Sequence, residues 1–137
     1  MRFMKKLPFE LAICASLFLG VCSGSAQTNA LAHLIANADH IVITNRLANF
    51  EEKYRGFSLT ISGEHARNIV RVVSSAELGG PCKCIPEWGI SFYRETNFLA
   101  DVQLGGDYFV FEEQWYYDHS GVLERFSSEL YKQIDKR

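Results

Sequence analysis

Two cysteines, Cys82 and Cys84, flank Lys83 in a short stretch bounded by Pro81 and Pro86. This is the spacing in the chain that comes nearest to chemistry. Thiols two residues apart have three uses: an inert disulfide, a redox pair, or half of a tetrahedral zinc site. On an extended chain their Cα atoms would lie about 6.5–7 Å apart, beyond the favoured disulfide separation, so a local bridge needs a bent backbone. The flanking prolines suit such a bend. A bridge that closes so short a loop adds little stability through chain entropy. Lys83 favours the thiolate form electrostatically. The common redox motif, Cys-x-x-Cys at a helix start, is absent. A zinc site would need two more ligands, and His33, His40, His65 and His119 are scattered singly. The structural bridge is therefore the leading reading, the redox pair second and the metal site third. No metal or cofactor is expected.

The remaining polar residues give no catalytic constellation, and no catalytic residue is assigned. Glu112 and Glu113 adjoin on an expected strand, so their side chains would point to opposite faces. Glu51 and Glu52 fall in a connection. There is no Gly-x-Ser-x-Gly, and Ser62, near His65, reads better as a helix cap. Gly79-Gly80 and Gly105-Gly106 read as punctuation, without the pattern of a phosphate-binding loop. Aromatic residues crowd between Trp88 and Tyr117. On a sheet they must split between two faces. Phe92, Phe109 and Phe111 are assigned to the core. Tyr93, Tyr108 and Tyr116 are the candidates for an open face, where aromatic residues suit contact with a protein or a sugar. Ordinary cross-strand packing is the competing explanation, and the sequence favours it.

These residues need elements to hold them. Leu31, Leu34, Ile35 and Ala38 have the spacing of one short helical face, a lead-in over residues 27–39. Ile41 to Thr44 is a β-branched run and predicts a strand. Residues 45–56 read as a connection with a helical turn. Phe57, Leu59 and Ile61 alternate with polar residues and predict a second strand. Ala66, Ile69, Val70 and Val73 then predict an amphipathic helix over 63–76, with the glycines that follow as its stop. Trp88–Phe92, Phe98–Leu104 and Tyr108–Glu113 form a meander, with residues 114–118 extending it or starting one more strand. Leu123, Phe126, Leu130 and Ile134 give a last helix its apolar stripe, with Asp118 or Ser120 as its cap. The expected fold is α+β: an antiparallel sheet of about five strands in the order β-β-α-β-β-β-α, with helices on one face, forming a single domain over residues 40–137.

The first 26 residues read as a secretion signal. Arg2, Lys5 and Lys6 precede the apolar run Leu11–Val21, and Gly24-Ser25-Ala26 supplies a small-residue exit. The run is too short to span a bilayer. Leu19-Gly20-Val21-Cys22 is similar to a bacterial lipobox, which would make Cys22 an acylated first residue, but Val21 is not the small residue that pattern wants. Cleavage after Ala26 removes three basic residues and Glu10, so the formal charge of −2 becomes −4. An acidic surface disfavours nucleic acid and anionic lipid. Stable membrane insertion after cleavage is not expected.

The stretch from Ile61 to Tyr93 joins a strand end, Ser-Gly-Glu, an amphipathic helix, Pro-Cys-Lys-Cys and Trp-Gly-Ile-Ser-Phe-Tyr. It resembles a layout of small exported bacterial proteins that carry no assigned activity. The resemblance spans about a third of the mature domain and implies no mechanism. The expectation is an exported domain, periplasmic or secreted, that binds a protein or envelope ligand or acts structurally. The alternative is a thiol redox or metal-handling protein using Cys82 and Cys84. If the signal reading is right, intact-mass analysis of the envelope fraction finds a chain beginning at Gln27. A retained N-terminus, or a chain beginning at acylated Cys22, overturns it.

Overall fold

The structure is a computed structural model that describes residues 30–49 and 51–136. The expected signal, with Cys14 and Cys22, lies outside the described residues. Seven strands make one antiparallel sheet in the order β2-β1-β4-β5-β6-β7-β3. They are β1 (His40–Asn45), β2 (Ser58–Ser62), β3 (Glu77–Gly79), β4 (Trp88–Arg94), β5 (Asn97–Leu104), β6 (Tyr108–Phe111) and β7 (Gln114–Tyr117). Residues 30–35 are helical (α1); α2 is Gly63–Ser75 and α3 is Val122–Asp135. Two 3-10 turns, Arg46–Asn49 and Glu52–Tyr54, fill the connection between β1 and β2.

The α+β class and the antiparallel sheet agree with the sequence pattern, but there are two more strands than expected. Glu77–Gly79, the residues that run from the helix into its expected glycine stop, form β3 and pair with β7 at the far edge of the sheet. All three are exposed, so burial left no alternation to read in the sequence. Gln114–Tyr117 is a strand of its own because Glu112 and Glu113 turn the chain. Both have positive φ, 49° and 65°, so they form the two-residue hairpin turn and are not strand residues as expected. Such turns usually take Asn or Gly, since the left-handed conformation costs other residues about 1–2 kcal/mol each.

Strand register decides which face each side chain joins. Ile41, Phe92 and Ala100 stand in one row, Ile43, Ile90 and Val102 in the next, and Asn45, Trp88 and Leu104 in a third. The third row continues through Phe109 and Tyr116. With Leu31 and Ile35 of α1, Ile69, Val72 and Val73 of α2, and Leu123, Leu130 and Ile134 of α3, these side chains form one buried cluster. The helices therefore share one face of the sheet. Each fully buried aliphatic side chain contributes roughly 1.5–3 kcal/mol. Within α2, Ala66, Ile69 and Val73 are buried as the spacing expected, but Val72 is buried where Val70 was expected, and Val70 is only half-buried.

Caps differ from expectation in one case. Ser62 stands at the start of α2 but makes no side-chain capping bond. Asp118 does cap α3. One carboxylate oxygen accepts the Leu123 amide at 3.0 Å, and the other accepts the Ser120 amide at 2.9 Å and the Ser120 hydroxyl at 2.6 Å. Burial pulls the Asp118 pKa up, but the hydrogen bonds from Leu123, Ser120 and Val122 outweigh it and hold the carboxyl below its ordinary value. A lowered folded pKa adds stability above the unfolded pKa and loses it as pH falls through the folded one. Asp118→Ala should therefore cost about 1–2 kcal/mol at neutral pH. In urea denaturation the gap to the parent closes as the solution is taken from about pH 5 to about pH 2. A gap that is the same at both ends of that range would show that the carboxylate charge plays no part.

Candidate functional site

The segment between β3 and β4, residues 80–87, carries the cysteines and has no regular structure. Both its ends are fastened. At the start, the Tyr117 hydroxyl donates to the Gly80 carbonyl at 2.7 Å. The Tyr117 ring lies across Gly79, where an added Cβ would come within 2.6 Å of it. At the other end, Arg46 donates its side chain to the Pro86 carbonyl at 3.1 Å and its amide to the Glu87 carbonyl at 2.7 Å. The Glu87 amide donates to the Leu104 carbonyl at 3.1 Å. Between these anchors the chain bends enough to bring the Cα atoms of Cys82 and Cys84 to 5.2 Å, and the two are joined as a disulfide. The separation falls inside the favoured range. Cys84 and Lys83 are exposed and Cys82 half-buried, and Ile85 beside them is 76% exposed.

A depression of about 390 Å³ opens next to Cys84, floored by Trp88 and Tyr108 and walled by Glu87 and by Tyr131 of α3. Trp88 is fully buried and Tyr108 nearly so, yet Nε1 of one and the hydroxyl of the other have no hydrogen-bond partner among the described residues. Gly105 makes room for the Tyr108 ring; a Cβ there would lie 2.1 Å from it. Burial, followed by the charges of Glu87 and the neighbouring Tyr117 and Asp107, raises the Tyr108 pKa. The phenol therefore keeps its proton and remains a donor.

The second surface is the sheet face turned away from the helices. Its cross-strand rows are Ser62–His40–Tyr93–Phe98, Thr60–Val42–Ser91–Asp101 and Thr44–Gly89–Gln103–Val110–Trp115. At one end Tyr93 stacks on His40 and meets Phe98 edge-on, with ring centroids 5.3 and 5.8 Å apart. Phe98 is 56% exposed. Period-two spacing alone would put Phe98 on one face with Ala100, Val102 and Leu104, but an irregularity in the β4–β5 register at Phe92/Tyr93 shifts it to this one. Toward the other end lies a depression of about 550 Å³ lined by Pro86, Asp101, Gln103, Val110, Trp115 and the turn residues Glu112 and Glu113. Its three carboxylates are all exposed, and the Trp115 indole forms its apolar wall.

Of the three tyrosines expected on the open face, Tyr93 lies there and is half-buried. Tyr108 belongs to that face by register but is buried beneath the cysteine loop's depression. Tyr116 is on the core face, stacked on Phe109 at 5.2 Å. The turn at Glu112-Glu113 sets that parity, and the sequence pattern had passed over the turn. Trp115 and Tyr117 take the outward positions instead. Among the described residues no three His, Cys, Asp or Glu side chains converge as a metal site would need. No described helix is long and apolar enough to cross a membrane.

Comparison with family models, with curated proteins and with solved structures finds no match to this chain. The class that the geometry itself defines is an α+β domain with a seven-stranded antiparallel sheet, covered on one face.

The disulfide spans so short a loop that the chain-entropy account assigns it about 1.5 kcal/mol, half of what a fifteen-residue loop gives. Neither cysteine belongs to the buried cluster. Replacing both with Ser should leave the domain folded, with a melting temperature lower by only about 5–10 °C. Loss of the cooperative thermal transition would show that the bridge organises the fold.

Proposed function

We propose that this is a small exported domain of the cell envelope that works by binding, and that the uncovered face of its sheet is the contact surface. The depression around Trp115 carries the proposal. An indole beside Asp101, Glu112 and Glu113 suits a cation, through attraction to the ring face and to the carboxylates. The occupant this chemistry selects is a basic segment of a partner protein, presenting an arginine or lysine side chain. The formal charge of the mature chain, −4, favours the same partner by long-range steering. Tyr93 and Phe98, at the far end of the face, extend the surface with apolar area. Export is supported by the order of charge, apolar run and small residues at the N-terminus.

A tetra-arginine peptide is the probe. Titrated into the isotope-labelled protein at low salt, it should shift the amide resonances of Asp101, Glu112 and Trp115 more than those of α2. The triple variant Asp101→Asn, Glu112→Gln, Glu113→Gln should weaken binding by about ten-fold, which corresponds to about 1.4 kcal/mol. A tetra-glutamate peptide should do nothing. Binding that survives neutralisation of the three carboxylates, or shifts that cluster elsewhere, would overturn the assignment.

A further inference from the structure

We propose that the partner's basic segment binds as an added β-strand, pairing with the open edge of β5 over residues 97–101. This rests on the reading above for the sign of the partner's charge. It goes beyond that reading in naming the partner's conformation and a second set of contacts.

β5 stands in the middle of the sheet, between β4 and β6. It pairs with β4 from Asn97 to Leu104, Leu99 excepted, but with β6 only at Gln103 and Leu104. The cause is the turn at Glu112-Glu113. Continuing the β5–β6 register puts Glu112 opposite Asp101, and there the positive φ of Glu112 carries the chain away into β7. Alternation gives the direction of the free backbone groups. The Gly105 amide donates to the Tyr108 carbonyl at 2.9 Å, so Gly105 and, two residues back, Gln103 face β6. Asp101 faces the same way, and among the described residues no strand lies against it. The sheet thus has a notch in its interior. Backbone donors and acceptors at strand spacing are matched by an extended chain, which makes such an edge a site for strand addition.

The side chains bordering the notch select the sequence of that chain. A depression of about 260 Å³ runs across the edge. On the helix side it is lined by Leu34 of α1 and by Leu99 and Phe111, which pack against the core. On the other side stand Phe98, Asp101 and Glu112. Leu34 and Phe98 are two of the four large apolar side chains that are exposed among the described residues, so apolar surface is concentrated here. Side chains of an added strand alternate between the two sides. One set meets apolar surface. The other meets Asp101 and Glu112, which also line the depression around Trp115. The fitting segment therefore alternates apolar and basic residues. A second copy of this chain fits worse. Laid antiparallel on the same edge, its own turn at Glu95 would come against Glu112 and Glu113 and gather like charges.

Two acetylated peptides of one composition, Val-Arg-Val-Arg-Val-Arg and Val-Val-Val-Arg-Arg-Arg, test this when titrated into the isotope-labelled protein at low salt. The alternating peptide should bind about ten-fold tighter. At saturation it should slow hydrogen exchange of the Asp101 amide about ten-fold and leave that of Val102, which faces β4, unchanged. Methylating the amides of its three valines, or of its three arginines, blocks one edge of the peptide at a time. One methylated peptide should lose binding and the other keep it. Leu34→Ser, outside the Trp115 depression, should weaken the alternating peptide about five-fold and leave tetra-arginine binding unchanged. Equal affinity of the two peptides, unchanged exchange at Asp101, or two methylated peptides that bind alike would each overturn strand addition, while tetra-arginine binding would still uphold the open face. Protection of Asp101 by dimerisation without any peptide would overturn it in favour of a second copy. Failure of tetra-arginine as well would remove both readings.

Discussion

Trp88 is the contact on which the arrangement depends. It is fully buried at the start of β4, in the centre of the sheet, and two rings meet it edge-on. Phe57, which leads into β2, lies 5.5 Å away, and Tyr131 of α3 lies 5.1 Å away. Tyr131 in turn meets Tyr54 of the second 3-10 turn at 6.5 Å. Edge-to-face geometry adds about 0.5–1.5 kcal/mol per pair beyond the burial itself. One side chain thus fixes the middle of the sheet, the connection between its first two strands and the last helix. Those parts are far apart in sequence; the bond from the Arg46 amide to the Glu87 carbonyl ties the connection to the start of β4, and the rings bring in α3.

The same cluster positions the cysteine loop. The chain reaches Trp88 directly after Glu87, whose backbone bonds to Leu104 and Arg46. Arg46 also reaches Gln103, at 3.0 Å, on the open face. Residues 80–87 therefore end at a rigid point and border both depressions: Cys84 and Ile85 line one, and Pro86 lines the other. The loop is the place where the covered and uncovered sides of the sheet meet. Its first half hangs from Tyr117 through Gly79 and Gly80, so the flanks of the disulfide are held while its exposed sulfur is not packed.

Backbone concessions gather around the same surface. The non-glycine residues with positive φ among the described residues are Glu95, Glu112 and Glu113, all in hairpin turns. Asp39 stabilises the turn at Glu95 by accepting its amide at 2.9 Å. That bond, followed by the one to His40, lowers the Asp39 pKa. The register shift at Phe92/Tyr93 brings Phe98 beside Tyr93, and the turn at Glu112-Glu113 sends Trp115 outward and Tyr116 inward. Single-residue changes of parity thus exchange the occupants of the two faces.

By itself the sequence determined the α+β class, the two long helices, the β-branched run of β1, the alternation of β2, β4 and most of β5, and the cysteine pair as the feature to watch. Each rests on a local rule: a period of 3.6 or 2 set by which side chains must leave water, or a spacing along a few residues. The tertiary structure decided the rest. β3 is a strand only because β7 lies beside it, since its residues are too few and too exposed to show a period. Tyr116 and Phe98 changed their expected faces because a turn and a register shift reset the count, and both are fixed by pairing between strands, while Tyr108 kept its face but is buried beside the cysteine loop. The depressions beside Cys84 and around Trp115 bring together residues from several elements. A site of that kind exists only once the chain has folded, because no local spacing records which distant residues will meet.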